Sequence, residues 1–246
     1  MIGIGTIVNA LAIIAGAVVG MLIKSGLPKR FKDLIMQAIG LAVIIIGLSG
    51  TLQGIFFLDD QGQLGSSHIM LMIFSLVVGG LLGELLEIEK KLEQMGSWVQ
   101  HKLAAKEGNF AQGFITASLM YCVGAMAIVG ALQDGLSANP TILFSKSVLD
   151  GVTAVIFAAS MGLGVAFSAA PVVLYQGGIT LLAGLLRPLL TEAVISQMSL
   201  VGSVLIMAIG FNILEIKRMR VGNLLPAVFI PLLYYVITLV IQTFAP

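Results

Sequence analysis

The sequence predicts an all-α protein, a polytopic transmembrane helix bundle of about eight membrane segments with its N-terminus and C-terminus outside the cytoplasm. Three observations predict it. Of 246 residues, 58% are hydrophobic and only 10% are charged, against roughly 25% charged in an ordinary soluble domain. The mean hydropathy is +1.07, more apolar than a globule of this length can hide from water, so many side chains must face lipid. The basic residues also gather in alternate loops, as they do on the cytoplasmic side of membrane proteins.

A helix needs about 20 predominantly apolar residues to cross about 30 Å of hydrocarbon, because each backbone N–H and C=O must be paired internally there. Eight segments qualify or nearly so, at approximately 2–23, 34–57, 69–86, 112–133, 146–167, 172–190, 199–216 and 224–244. The first lacks a positive region before its apolar run and an Ala-x-Ala-like cleavage signal after it, so it is expected to remain as a span. Loop one holds Lys24, Lys29, Arg30 and Lys32; loop three holds Lys90, Lys91, Lys102 and Lys106; loop seven holds Lys217, Arg218 and Arg220, so eleven of the 13 basic residues share one side. Only Lys146 and Arg187 fall opposite, and loop two carries Asp59 and Asp60 without a base. Both termini are therefore expected outside. The parity holds if segments five and six are re-entrant, so the charges fix orientation without choosing between eight spans and six.

The whole chain, 1–246, reads as a single transmembrane domain. Its longest hydrophilic stretch, 84–110, places Leu85, Ile88, Leu92, Met95, Val99 and Leu103 at steps of three or four with charges between them, the pattern of an amphipathic helix. With Trp98 as an interfacial anchor, it is expected to continue the third span as a cytoplasmic connector near the headgroups; a surface for a soluble partner is the alternative.

Residues 7–23 align without gaps on 70–86, matching Gly16 with Gly79 and Gly20 with Gly83, and G-T-L-Q-G at 50–54 resembles G-A-L-Q-D-G at 130–135. The pattern suggests a duplicated hairpin in parallel orientation, with chance among Gly-rich helices as the competitor. Each glycine pair is a G-x-x-x-G, which lets two helix backbones approach closely. Packing inside the bundle is its default use, and a homo-oligomer seam is the sharper alternative.

Polar groups inside a membrane are costly without partners, so each is a site hypothesis. Lys146 and Asp150, four apart, share a helical face where they can pair. Facing inward, the pair could gate a path or bind a charged solute; facing outward, it is a snorkelling lysine satisfied by its neighbour. Between Asp150 and Arg187 lie 36 residues without a charge, too long for one crossing at 1.5 Å per residue. Pro171, Gly177 and Gly178 place the expected break near 168–178. Either two short spans turn tightly there, or two half-helices meet within the membrane and expose backbone to a solute. Ser168, Gln176, Gly177 and Thr180 are then the candidate binding groups. Asn9, in the first span, is either a further ligand or an interhelical hydrogen bond of about 0.6–2 kcal/mol. Asn212, Glu215 and Glu84 lie near cytoplasmic ends, where a solvated side chain needs no special role, while Gln53 and Gln133 could line an external vestibule.

Several functions are disfavoured. No P-loop is present, and no Cys or His cluster suggests a metal, haem or other cofactor. The G-L-G at 162–164 has no preceding soluble strand to make a dinucleotide site. His68 and His101 lie in loops on opposite expected sides, without a catalytic signature. The net charge of +1 offers no basic surface for nucleic acid. An enzyme is not expected. The lone Cys122 cannot form an intrachain disulfide.

GTIVNALAIIAGAVVG at 5–20 and, more specifically, KSVLDGVTAVIFAASMGLGVAFSAAPVVLYQGGITLLAG at 146–184 resemble the bacterial membrane family called domain of unknown function 554, the YdfK/YqgA-like proteins. The resemblance covers essentially the whole chain. It implies a multipass inner-membrane protein, with transport suggested for the family but no settled substrate or mechanism, so it assigns no role to any residue.

The resulting expectation is a small secondary transporter or channel-like protein for a small solute or ion, multipass in a bacterial plasma (inner) membrane. Its expected site combines Lys146 and Asp150 with Gln176 and the backbone around 168–178. The alternative is a membrane-embedded interaction protein or accessory subunit using the Gly-rich faces and the 84–110 helix.

Overall fold

The computed structural model of the chain describes residues 1–24, 29–58, 61–92, 94, 110–122 and 125–244. Every expected membrane segment contains helix. The elements are α1 (Ile4–Lys24), α2 (Lys29–Ile55), α3 (Ile69–Leu85), α4 (Phe110–Cys122), α5 (Ala125–Ser137), α6 (Thr141–Met161), α7 (Gly164–Phe167), α8 (Ala169–Leu181), α9 (Ala183–Leu186), α10 (Glu192–Ile213), α11 (Val221–Leu224), a 3₁₀ turn at Leu225–Phe229 and α12 (Ile230–Phe244). A short antiparallel hairpin, β1 (Phe56–Leu58) with β2 (Leu64–Ser66), caps the end of α2. The protein is a polytopic helical membrane protein.

Among the described residues, six helices are long and apolar enough to cross a membrane. The fourth segment divides into α4 and α5, which meet at 59°, and α3 is a shorter apolar helix. Local chemistry sets several of the boundaries. Pro188 precedes Thr191, whose Oγ1 accepts a hydrogen bond from Val194 N at 3.3 Å and caps α10, with Glu192 in the favourable first turn. In the last span, Pro226 and Pro231 remove backbone donors, and the chain passes through the 3₁₀ turn there before α12 begins.

Large apolar side chains point outward. Met70, Leu81, Leu174 and Leu181 are each more than two-thirds exposed, the arrangement hydrocarbon favours and water does not. Inside lie Ile13, Ala17, Val43, Ala154, Val172, Val201 and Leu205, with Tyr121, Phe157 and Met161 among the larger side chains of the same core.

Close glycine contacts fix how the helices pair. A Cβ on Gly16 would land on the Gly151 carbonyl oxygen, and one on Gly20 on that of Val155, so α1 and α6 run parallel at backbone contact. Gly79 and Gly83 likewise meet Ala227 and the Asn223 carbonyl of the last span, antiparallel to α3. Gly40 faces Leu214 and Gly54 faces Leu200, an antiparallel pairing of α2 with α10. The two aligned glycine motifs thus sit against different partners with opposite polarity. Each pairing has the polarity that alternation of the expected segments requires.

One expectation is corrected. The break between segments five and six lies at Gly162, where φ is +76°, and in the short α7, ahead of most of the expected stretch 168–178. Only glycine readily takes that backbone conformation, and α6 ends there. Pro171 is the third residue of α8, where a missing N–H costs nothing, while Gly177 and Gly178 are mid-helix.

The connector at 84–110 is only partly described. Glu84 and Leu85 end α3, and helical residues recur at 88–92; Met95, Trp98, Val99, His101 and Leu103 lie outside the described residues. Around the described part, Asn223 Nδ2 donates to Glu84 at 2.6 Å, Asn223 Oδ1 accepts from Glu89 N at 2.7 Å, and Gly222 N donates to the Glu89 carboxylate at 2.6 Å. Arg220 also pairs with Glu84. Four hydrogen-bonding groups therefore tie the end of α3 to the start of the last span. Beside them, Lys90 holds the exposed Glu87 carboxyl below its ordinary range, through a hydrogen bond and its charge.

Candidate functional site

Four residues proposed from the sequence converge where α1, α6 and α8 meet. Lys146 Nζ lies 2.6 and 2.8 Å from the two Asp150 carboxylate oxygens. Asn9 Nδ2 donates to Asp150 Oδ2 at 3.0 Å and to Gln176 Oε1 at 3.3 Å. Lys146 is 6% exposed, Asp150 5%, and Asn9 and Gln176 0%, so the pair faces the bundle interior and is not a snorkelling surface lysine.

The local sequence produces this geometry directly. Lys146 and Asp150 occupy one face of a continuous helix at i, i+4. The Gly16 and Gly20 contacts bring α1 against that face, and Asn9 lies two turns before Gly16 on the same helix. Gln176 arrives from the antiparallel α8, where Gly177 leaves room for Thr6 Cγ2 at 3.9 Å from its Cβ position. A buried ion pair is tolerable only when further donors satisfy the charged atoms, and Asn9 supplies one to Asp150. The Tyr121 ring of α4 adds a face 6.0 Å from the ammonium.

Because an ionised carboxylate only accepts, Asn9 must turn its NH₂ toward Asp150, and Gln176 must then present its carbonyl oxygen. The far atoms are thereby left over. Asn9 Oδ1, Gln176 Nε2 and Thr6 Oγ1 are buried without partners, while the Tyr121 hydroxyl lies beside Thr153. The two amides keep one unused acceptor and one unused donor, and the network's one formal positive charge balances its one negative.

The other candidates lie elsewhere. Thr180, one turn beyond Gln176, donates to the Ala131 carbonyl of α5 at 3.2 Å. Ser168 donates to Val165 O at 2.6 Å inside the turn, eight residues before Gln176. Gly16, Gly20, Gly79 and Gly83 pack helices and line no polar space. Asn212 closes the turn after α10 by bonding both backbone groups of Met219 at 2.7 and 2.8 Å.

A separate groove of about 910 Å³ runs between α2 and α10 on one side and α4 and α5 on the other. Glu192, Ser196, Ser199 and Ser203 form one face of α10 along it, beside Ser49 and Gln53 of α2. None of its lining residues belongs to the ionic network. The two are nonetheless neighbours, because Met120 lines the groove and the adjacent Tyr121 faces Lys146.

Asp134 was not among the sequence candidates. It is 0% exposed, and its Oδ2 accepts from Gly5 N in the first turn of α1 at 3.1 Å. The apolar count ended the fourth segment at 133, which put Asp134 in a loop; the helix continues to Ser137.

Among the described residues, no group of three or more His, Cys, Asp or Glu could hold a metal ion.

The model of a family described as protein of unknown function, DUF554, matches residues 4–236. The chain is similar to the uncharacterized membrane protein YdfK of Bacillus subtilis (strain 168), 34% identical over 229 residues that cover 92% of this chain and 93% of the relative. It is also similar to the uncharacterized protein YqgA of Escherichia coli (strain K12), 30% identical over 233 residues, 92% of this chain and 94% of the relative. No solved structure matches the chain.

Proposed function

This chain belongs to the DUF554 family, and we propose that it is a secondary transporter or channel-like protein that carries a small polar solute past the Lys146–Asp150–Asn9–Gln176 network. The observation that carries this reading is a charge-balanced pair sealed inside a membrane bundle with unused hydrogen-bonding atoms on both amides. Charged groups in hydrocarbon are retained against a cost of several kcal/mol, and solute and ion pathways are among the uses that retain them. The orientation is that of the basic loops, with both termini outside the cytoplasm, in a bacterial plasma (inner) membrane. The weak internal similarity of residues 7–23 and 70–86 suits the duplicated construction of many transporters.

The route has two parts. The serine-lined groove admits solute between the two halves of the bundle, and Tyr121, between groove and network, is the barrier. Solute in the site bonds to Asn9 Oδ1 and Gln176 Nε2, the open acceptor and donor. Its charge is set by the balanced pair, which favours a neutral or zwitterionic molecule over an anion or a cation.

Purified protein in liposomes, tested for uptake of a panel of amino acids, sugars, nucleobases and monovalent ions, decides the matter. Uptake of at least one solute, lost in Asp150→Asn, is the expected result. No uptake across the panel, with Asp150→Asn also leaving cells unchanged, ends the proposal.

A second reading rests on the groove itself. Ser49, Gln53 and Ser196 are exposed on α2 and α10, two helices long and apolar enough to cross a membrane, which suits an interaction protein or a homo-oligomer whose partner helix bonds to them. A stoichiometric partner retained in mild detergent, with no solute uptake, favours that reading.

A further inference from the structure

The described core contains three buried charged side chains, Lys146, Asp150 and Asp134. Lys146 and Asp150 neutralise each other at 2.6 Å. Asp134 has no such counter-charge: Oδ2 accepts the single N–H of Gly5, and Oδ1 is buried without a hydrogen-bond partner. The positive end of the α1 dipole, about half a charge, offsets only part of an ionised carboxylate. A full uncompensated charge in this setting costs several kcal/mol.

The charged and titratable groups on the elements around Asp134 do not close the gap. From α6 come Lys146, held by Asp150, and Asp150 itself. From α1 comes Lys24, at the far end of the helix, and just ahead of α1 stands the ammonium of the exposed Met1. From α8 comes Tyr175, and beyond α9 the exposed Arg187; from α10 comes the exposed Glu192.

We propose that Asp134 Oδ1 anchors an exchangeable monovalent cation, a proton or an alkali ion, that completes the charge balance of the core and is the coupling ion of the transport reading above. Asp134 is well placed for this role. Gly5, which it contacts, and Asn9, which contacts Asp150, are one turn apart on α1. A cation arriving at Asp134 therefore acts on the same helix that carries the solute-binding amide. Leu143 of α6 packs over Gly5 one turn before Lys146, with its Cβ 2.7 Å from the Gly5 Cβ position, so the two carboxylates are linked through both helices. The inference rests on the transport reading for its purpose, but the cation site stands or falls by itself.

The test uses the full chain in proteoliposomes on a solid-supported membrane, with no solute added. Jumps of Na⁺ and K⁺ at fixed pH, and of pH at fixed salt, are applied to wild type and to Asp134→Asn. The asparagine carbonyl can keep the Gly5 hydrogen bond while removing the charge, so folding is preserved; an unchanged melting temperature in detergent checks this. The expected result is a transient charge displacement in wild type that Asp134→Asn abolishes. Displacement by Na⁺ or K⁺ identifies an alkali ion, and displacement by pH alone identifies a proton. Silence of wild type under every jump, or an Asp134→Asn response equal to wild type, overturns the proposal. Cation displacement without any solute uptake would sink the transport reading and leave this one. Solute uptake that ignores cations and survives Asp134→Asn would do the reverse.

Discussion

Asn9 and Asp150, 141 positions apart in the chain, meet at 3.0 Å inside the bundle. That contact joins the parallel helices α1 and α6 at a polar point, and the same amide reaches across to Gln176 on α8. It is the place where packing and proposed function use the same atoms, so substitutions around it should separate the two.

Removing one partner of the ion pair should hurt more than removing both. Lys146→Met leaves Asp150 buried with Asn9 as its remaining side-chain donor, and should lower unfolding free energy by about 3–5 kcal/mol. Lys146→Met combined with Asp150→Leu removes both charges and should recover much of that loss. Denaturation of the purified variants in detergent measures both. A double variant no more stable than Lys146→Met would show that the pair's charges are not what the site must balance.

The α1–α6 contact has no room for a side chain at Gly16. Gly16→Leu would drive methyl groups into the Gly151 backbone and Ala154, with an expected cost of at least 1–3 kcal/mol or loss of folded protein. Gly178→Ala is the matched control, since nothing lies within 4 Å of its Cβ position; in mid-helix it should be neutral or stabilise by up to about 1 kcal/mol. Thermal unfolding followed by size-exclusion recovery ranks the two, and equal behaviour would contradict the close contact.

Asn223 bonds Glu84 and the Glu89 backbone from one side chain. Asn223→Ala leaves the Glu89 N–H without its acceptor and Glu84 with Arg220 alone, and should cost about 1–3 kcal/mol. Because the bonds join the end of α3 to the last span, the variant should also speed proteolysis of the 84–110 connector. Unaltered cleavage kinetics would argue that this tie does not hold the connector's start.

Thr191→Ala deletes the α10 cap and should cost about 0.5–2 kcal/mol, while Thr191→Ser, which keeps the hydroxyl, should be close to neutral. The midpoint of detergent denaturation distinguishes them.

How much the sequence disclosed depended on the range of each signal. The apolar segments and the i, i+4 pair are local patterns, and helical geometry alone brought Lys146 beside Asp150. Asn9 and Gln176 stood out because an amide in a span needs a partner, although nothing local said they would find each other; the α1–α6 glycine contact does that. The break lies ahead of Pro171 because a proline or a glycine in sequence does not reveal its backbone conformation. Pro171 is harmless in the first turn of a helix, whereas Gly162 adopts positive φ. Asp134 was hidden for a simpler reason: an acid at the edge of an apolar count looks solvated until another helix's N-terminus is seen to cover it. The hairpin at Phe56–Leu58 and Leu64–Ser66 is too short to leave a period in the sequence.

The most direct test of the central claim asks whether solvent reaches the buried network during turnover. In a Cys122→Ser background, Gln176→Cys is treated in sealed proteoliposomes with a small charged thiosulfonate, beside Leu205→Cys in the closed core and Glu192→Cys at the exposed start of α10. A pathway through the network predicts that Gln176→Cys reacts well above Leu205→Cys. Labelling of Glu192→Cys alone, with Gln176→Cys as inert as Leu205→Cys under every condition, would mean that the network is a sealed structural pair and that nothing passes it.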